Sequence, residues 1–254
     1  ISLVSLSTSD YTCFHDLANG LLDDFSKDQV NLSLPSLRID SFSLDLMEKI
    51  QEVRKSSLTF AAEAGTQRLR NVINKNLTEE DILKGCALAF SGSWERVKLY
   101  FMIGLPTETE EDLIGIADLS AKVVDKYYEI ERDKKPRPVT VVASSSCFVP
   151  KPFTPFQWDA QDTYQQFSEK ARLVKSHIAR KQIKYNYHDA KLSSLEGVMA
   201  RGDRRVAKVI YRAWEKGCRF DSWSEIFDFG KWMEAFEETG VDPAFYANRK
   251  RSFD

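Results

Sequence analysis

The sequence predicts an α/β fold, a partial (β/α) TIM-like barrel with parallel strands and a C-terminal helical extension, and three observations predict it. Strand-like and helix-like stretches alternate six times at intervals of about thirty to forty residues without long hairpins, the rhythm of crossover connections in a parallel sheet. Neither G-x-G-x-x-G after a strand nor G-x-x-x-x-G-K-[ST] occurs. The two common nucleotide signatures of open sheets are therefore missing, which favours a barrel over a doubly wound sheet. From Ala190 onward the pattern is helical only, broken at Gly202, Gly217 and Gly230. Residues 1–188 thus read as the partial barrel and 189–254 as the extension.

The elements follow in order. Ile1 to Leu6 is a strand, and the next helix places Phe14, Leu17, Ala18, Leu21, Leu22 and Phe25 on one face. Val30 to Ile39 is a second strand, where Pro35 implies a bulge or an edge. Ser43 then precedes a helix carrying Leu46, Met47, Ile50 and Val53. Ser57 to Glu63 is the third strand. Ala64-Gly65-Thr66 turns it into a short helix with Leu69, Val72 and Ile73, and Thr78 caps a second helix, Glu79 to about Ser91, facing inward with Ile82, Leu83, Cys86, Ala89 and Phe90. The fourth strand, from Val97, shows little alternation, as expected of a strand covered on both faces. Gly104-Leu105-Pro106 ends it, and Thr109 with Asp112 signals a helix from near Glu110 to about Ile130. Val139 to Cys147 is the fifth strand. Phe148 to Ala160 carries Pro150, Pro152 and Pro155 and reads as a stiff loop. A helix with Tyr164, Phe167, Ala171, Val174 and Ile178 inward leads to the sixth strand, Ile183 to His188.

Composition narrows the function classes. A formal charge of −2 and a pI near 6.1 give no global electrostatic case for nucleic acid. No apolar run approaches the roughly eighteen residues of a membrane span, and no signal peptide is recognisable, so a cytoplasmic location without membrane contact is expected. Cys13, Cys86, Cys147 and Cys218 lie too far apart for metal-ligand or redox spacing, so isolated reduced thiols are expected. Cys86 falls on a packing face, whereas Cys147 ends a strand. The apolar run at Ile1, without an initiator Met, reads as a strand already under way, and the chain is expected to be a piece of something longer.

Ligands of parallel α/β folds sit outside the carboxyl ends of the strands. Polar residues that end apolar runs are therefore candidates: Ser7, Thr8, Asp10, Arg38, Asp40, Glu63, Ser145 and Ser146. Glu63 is the sharpest, expected on the same rim as Gly104 with Phe148 nearby, against the alternative of a cap or solvated residue. His15 and His177 fall on helical patterns, and His188 closes the sixth strand. No Ser-His-Asp set with a nucleophile elbow can be assembled, and no lysine ends a strand where a Schiff-base aldolase needs one. RGDRRVAKVIYRAWEKG is a basic amphipathic helix, read either as a solvated charged face or as an RNA-facing patch.

YFMIGLPTETEEDL resembles the fifth-strand motif of radical S-adenosylmethionine enzymes of the methylthiotransferase and coproporphyrinogen-oxidase type, whose G-[FL]-P-x-E-T turn lies beside the cofactor. The resemblance puts Met102 and Gly104 there. EAGTQRLRNVINKNLTEEDIL is similar to their fourth-strand segment and implies Glu63 for the ribose and Lys75 for the carboxylate of S-adenosylmethionine. SLRIDS resembles the third-strand segment, with Arg38 where relatives often carry a carboxylate. SLSTSDY resembles the loop receiving the methionyl amino group, at Ser7 and Thr8. VASSSCFVPKPFTPFQW resembles the end of the barrel, where backbone near Cys147, Phe148 and Val149 would hold adenine. YNYHDAKLSSLEGVMARGDRR and GCRFDSWSE resemble segments of bacterial radical-SAM proteins with an upstream cobalamin-binding-type domain.

The family holds a [4Fe–4S] cluster with C-x-x-x-C-x-x-C, three thiolates that leave one iron open, and this chain has no such triplet. Ile1 matches the family's second strand, so the triplet is expected upstream and no metal ligand is expected here. The resemblance implies that the full-length enzyme cleaves S-adenosylmethionine reductively, with an electron donor, to a 5′-deoxyadenosyl radical that takes hydrogen from an unknown substrate. The fragment alone is expected to be inactive, and no catalytic acid or base is assigned. The alternative is a non-catalytic RNA-contacting module on a barrel scaffold.

Overall fold

A computed structural model of the chain describes residues 1, 3, 11–28, 30, 32, 58–130 and 138–252. The strands expected over 1–6 and 30–39, apart from isolated positions, and the helix after Ser43 lie outside the described residues. The chain divides into two compact units. One comprises Ile1–Phe101, Thr109–Ser145 and Leu173–Asn186, and the other Met102–Glu108, Ser146–Arg172 and Tyr187–Asp254.

The first unit carries most of a four-stranded parallel sheet in the order β1-β2-β3-β4. These strands are β1 (Leu58–Glu63), β2 (Arg96–Ile103), β3 (Thr140–Cys147) and β4 (Ile183–Tyr187). Helices intervene: α1 (Phe14–Phe25) before the sheet, α2 (Gln67–Val72) and α3 (Glu79–Ser91) between β1 and β2, α4 (Glu110–Glu129) between β2 and β3, and α5 (Tyr164–His177) between β3 and β4. The α/β alternation expected from sequence is present over the described residues, and the parallel sheet suits a partial barrel.

Coverage of the strands differs from expectation. β2 buries Val97, Leu99, Phe101 and Ile103 but leaves Tyr100 40% exposed, so it is covered on one face. The reason is in its polar alternation, because Lys98 Nζ donates to the Tyr100 hydroxyl at 2.9 Å along the open face. The strand buried on both faces is β3, whose Val141, Val142, Ala143, Ser144 and Ser145 are all buried. β4 is an edge strand with mostly exposed positions, and it ends at Tyr187, leaving His188 exposed beyond it.

Helix faces are narrower than the periodicity predicts. α1 buries Phe14, Ala18 and Leu22 while Leu17 and Phe25 are exposed, and α3 buries Gly85 where Leu83 is only half-buried. In α2 Leu69 is buried as expected, but Val72 is exposed and Arg70 is fully buried. The α2 turn presents a guanidinium inward because two acceptors wait there, the Ala64 carbonyl at 2.8 Å and Gln67 Oε1 at 3.2 Å. Burial lowers the Arg70 pKa from its ordinary value. Thr78 closes a capping box on α3, its hydroxyl accepting from Asp81 N at 3.1 Å while Asp81 accepts from Thr78 N at 2.9 Å.

The start of α4 is held against the β1–α2 turn by Asp112. Its buried carboxylate accepts from the Thr66 hydroxyl, from the Arg68 guanidinium, and from the N–H and hydroxyl of Thr109 at 2.8 and 2.9 Å. The sequence signal at Thr109 and Asp112 is therefore half of a capping box, since the Thr109 hydroxyl donates to Asp112 rather than accepting from the helix. Gly65 fits beneath: a Cβ there would lie 2.3 Å from the Asp112 carbonyl oxygen and 2.4 Å from Ile116 N, both backbone atoms. Burial alone would raise the Asp112 pKa, but hydrogen bonds from Arg68, Thr66 and Thr109 outweigh it and hold the carboxyl below its usual range.

The second unit contains four helices after the sheet: α6 (Ala190–Arg201), α7 (Val206–Glu215), α8 (Phe229–Thr239) and α9 (Pro243–Ala247). Asp189, Asp228 and Asp242 cap α6, α8 and α9, and Gly240, at φ +65°, ends α8. Leu195, Val198, Val209, Ala213, Trp232 and Phe236 form the centre of their shared core. Residues 148–163 form turns without helix or strand, as the prolines require.

Two outcomes follow for stability. Gly65→Ala should cost about 3 kcal/mol, because a clash between two backbones cannot be relieved by changing rotamers, and Asp112→Ala about 2 kcal/mol; urea unfolding read by circular dichroism measures both. With its folded pKa depressed, Asp112 contributes fully above the unfolded value of about 4 and progressively less as pH falls through the folded value. The stability gap between wild type and Asp112→Asn should accordingly narrow below about pH 4.

Candidate functional site

In the first unit the notable feature is the end of β1. Leu58, Thr59, Phe60 and Ala61 pair in register with Val97 to Tyr100, and the ladder then skips, so that Glu63 sits opposite Phe101. This irregularity coincides with a left-handed backbone at Glu63, φ +65°. A residue with a Cβ seldom takes that conformation, and bulges with such strain cluster where a side chain must be re-aimed. Arg70 grips the next carbonyl, that of Ala64, from below.

Lys75 comes from the turn after α2, where its N–H donates to the Arg70 carbonyl at 2.9 Å. Its Nζ lies 3.4 Å from Glu63 Oε1, with the two side chains 36% and 26% exposed. At that distance and exposure the pair adds little to stability. A half-exposed carboxylate beside a half-exposed ammonium is instead free to take new partners, the first a diol and the second a carboxylate. Ser145, also in this unit, is buried, and its hydroxyl has no hydrogen-bond partner.

The second unit holds the tips of β2 and β3. Gly104 (φ +81°) and Thr107 (φ +66°) are both left-handed, so the Gly-Leu-Pro-Thr turn is tightly wound. Glu108 locks it, both carboxylate oxygens accepting from Gly104 N at 3.0 Å. Lys170 on α5 approaches Glu108 Oε1 at 2.8 Å and Asp162 Oδ2 at 2.6 Å. Burial pushes the Glu108 pKa up against the pull of Lys170. Lys170 is itself raised, because its two carboxylate neighbours outweigh its burial. A Cβ on Gly104 would strike Phe167 Cε1 at 2.4 Å.

Beside this turn, Phe148 N donates to the Ile103 carbonyl at 2.9 Å, and the Phe148 carbonyl accepts from buried Gln161 at 3.3 Å. The backbone N–H of Phe148 is thus already engaged. Cys147 is buried, and its thiol is pushed up to about 11, chiefly by burial. It is a neutral thiol at physiological pH.

The structure therefore pairs Glu63 with Lys75 in one unit, and gathers Met102, Gly104, Cys147, Phe148 and Val149 in the other. Ser7, Thr8 and Arg38 lie outside the described residues. Glu108 stands in the quoted motif without having been singled out, and an acidic residue just before a helix cap was its signal. Lys170 and Asp162 had none, because nothing local ties them to a turn some sixty residues earlier.

The donor set does not fit an iron–sulfur cluster. Among the described residues no group of three His, Cys, Asp or Glu side chains could hold a metal, and all four cysteines are free, with Cys86 and Cys147 buried. Among the described residues, too, no helix is long and apolar enough to cross a membrane. The segment expected to be one basic helix is broken: Arg201 ends α6, buried and donating to the Ala247 and Arg249 carbonyls at 2.8 and 3.2 Å, and α7 begins only at Val206. Arg205 is paired with Asp203, Arg212 with Glu238 and Glu215, and Lys216 with Glu234 and Glu238. An RNA phosphate would have to displace those carboxylates.

Over 241 residues the chain is 30% identical to an uncharacterized protein of Methanocaldococcus jannaschii, an alignment covering 95% of this chain and 50% of that protein. The chain thus spans about half the length of the curated relative it matches. Residues 4–120, which include Glu63, Lys75, Met102 and Gly104, match the family model of the Radical SAM superfamily.

Proposed function

We propose that the chain is the S-adenosylmethionine-binding part of a radical S-adenosylmethionine enzyme. The observation that carries this reading is the Glu63–Lys75 pair, built on a bulged, left-handed strand end inside the region matching the Radical SAM superfamily. In this reading Glu63 accepts from the ribose hydroxyls and Lys75 pairs with the methionyl carboxylate. Backbone around Gly104, Cys147 and Val149 shapes the adenine side, and Ser7, Thr8 and Arg38 supply the remaining polar contacts. Residues 1–188 act as the partial barrel and 189–254 as an appended helical region.

S-adenosylmethionine supplies, on one-electron reduction, a 5′-deoxyadenosyl radical able to abstract hydrogen from a substrate. No cysteine constellation of this chain fits the [4Fe–4S] cluster of that chemistry. The cluster thiolates belong to a C-x-x-x-C-x-x-C outside these residues, and a cobalamin-binding-type domain is proposed upstream of it.

Two measurements test the reading. After anaerobic treatment with iron and sulfide, the 254-residue chain should retain no stoichiometric iron, whereas the longer natural protein should acquire a [4Fe–4S] spectrum; a cluster on the chain alone would overturn it. In the cluster-bearing protein, Glu63→Gln and Lys75→Ala should each weaken S-adenosylmethionine binding by about tenfold or more, as expected for losing a charge-assisted contact. Calorimetric titration showing unchanged affinity in both variants would sink the assignment.

A further inference from the structure

We propose that Arg70 is a positioning residue for the Glu63–Lys75 pair, fixing the spacing of the two arms without touching a ligand itself. This deepens the S-adenosylmethionine reading and rests on it. The pair does not set its own spacing: at 3.4 Å, with both side chains part-exposed, its attraction is too weak to hold two flexible arms in register. Their places must come from the backbone beneath them. That backbone is bent into a left-handed conformation on both sides, at Glu63 (φ +65°) and at Asn74 (φ +54°), the residue before Lys75.

One residue grips both bends. On the Lys75 side, Lys75 N donates to the Arg70 carbonyl at 2.9 Å and Asn74 N to the Asn71 carbonyl at 3.1 Å. With Asn74 left-handed just past α2, these two bonds make a Schellman closure, in which the Arg70 carbonyl fixes where Lys75 leaves the helix. On the Glu63 side, Arg70 Nη1 donates to the carbonyl of Ala64, the residue after the bulge, at 2.8 Å. The other prong of the guanidinium, Nη2, donates at 3.2 Å to Gln67 Oε1, which also accepts from Glu79 N at 3.0 Å. The planar fork thereby ties the end of β1 to the start of α3, with Lys75 on the turn between α2 and α3.

Arg70 is a costly way to fill that space. Its side chain is fully buried, both acceptors of its guanidinium are neutral, and its Nε is without a partner. Burial outweighs the pull of Glu79 and lowers its pKa. A buried charge met only by neutral acceptors adds little stability, and an apolar side chain of similar length would occupy the same volume without desolvating a charge. What only a guanidinium supplies is a pair of donors in one rigid plane, aimed at acceptors on two different segments. Those segments are the ones that carry Glu63 and flank Lys75.

The test is calorimetric titration of S-adenosylmethionine into the cluster-bearing protein, each variant first shown to be folded by circular dichroism. Arg70→Met removes the fork but keeps most of the side chain's length, and Gln67→Ala cuts the fork's link to α3. Each should weaken binding about tenfold, as expected when ligating groups are displaced rather than removed. Arg70→Lys should not restore affinity, since a single ammonium reaches one segment only. In a protein carrying both Glu63→Gln and Lys75→Ala, adding Arg70→Met should change affinity by less than about twofold, whereas a merely structural role would cause the same loss there. Wild-type affinity in folded Arg70→Met and Gln67→Ala, full recovery in Arg70→Lys, or an undiminished loss in the protein lacking both arms would refute the proposal. If Arg70→Met is unfolded, Gln67→Ala, at a half-buried position, decides alone. Failure of the S-adenosylmethionine reading looks different: Glu63→Gln and Lys75→Ala would themselves leave binding unchanged, and this proposal would fall with it.

Discussion

The carboxylate of Asp112 governs how the first unit is assembled around its candidate site. A charge that has left water must be met by several donors at once, and here they come from Thr66, Arg68 and Thr109. Satisfying it brings the β1–α2 turn onto the first turn of α4, so close that Gly65 has backbone atoms where a Cβ would stand. The chain leaving β1 therefore has little freedom. The bulge and left-handed backbone at Glu63 lie immediately upstream of this constraint, and Arg70 secures the same segment from the other side.

The second unit solves a comparable problem with opposite electrostatics. The turn at Gly104 is also wound into left-handed conformations, and it too is stapled by an acid, Glu108. This acid is more deeply desolvated than its partners can compensate, so its pKa rises where that of Asp112 falls. Lys170 holds both Glu108 and Asp162 and so ties α5 to the turn. Both units thus place strained backbone at strand ends and surround it with buried ionic contacts, the arrangement expected where geometry matters more than stability.

Charge on the helical region has a different role. Arg205, Arg212 and Lys216 read in sequence as a basic face, yet each meets carboxylates, two of them on α8. Those acids lie some twenty residues or more along the chain from Arg212 and Lys216, outside any helical period, so the pairing could not be anticipated. Among the described residues of this region, the buried side-chain atoms without a partner are Arg201 Nε, Asp221 Oδ1, Trp232 Nε1 and Arg251 Nε.

Much of the fold was legible because burial periodicity is local. The apolar spacing of α1, α3, α4 and α5, the cap at Thr78, and the breaks at Gly202 and Gly217 are each encoded within about a dozen residues, whereas Gly230, expected to break the pattern, lies inside α8. Of the site, Glu63, Lys75 and Gly104 could be named from motifs, but their state could not. That β2 is half open, that Arg70 points inward, that Glu63 is bulged and left-handed, and that Asp112 binds partners 44 and 46 residues away were decided by tertiary structure. Periodicity reports which face of an element is apolar. Which distant groups arrive to satisfy a buried charge depends on how the whole chain closes, and no local window contains that.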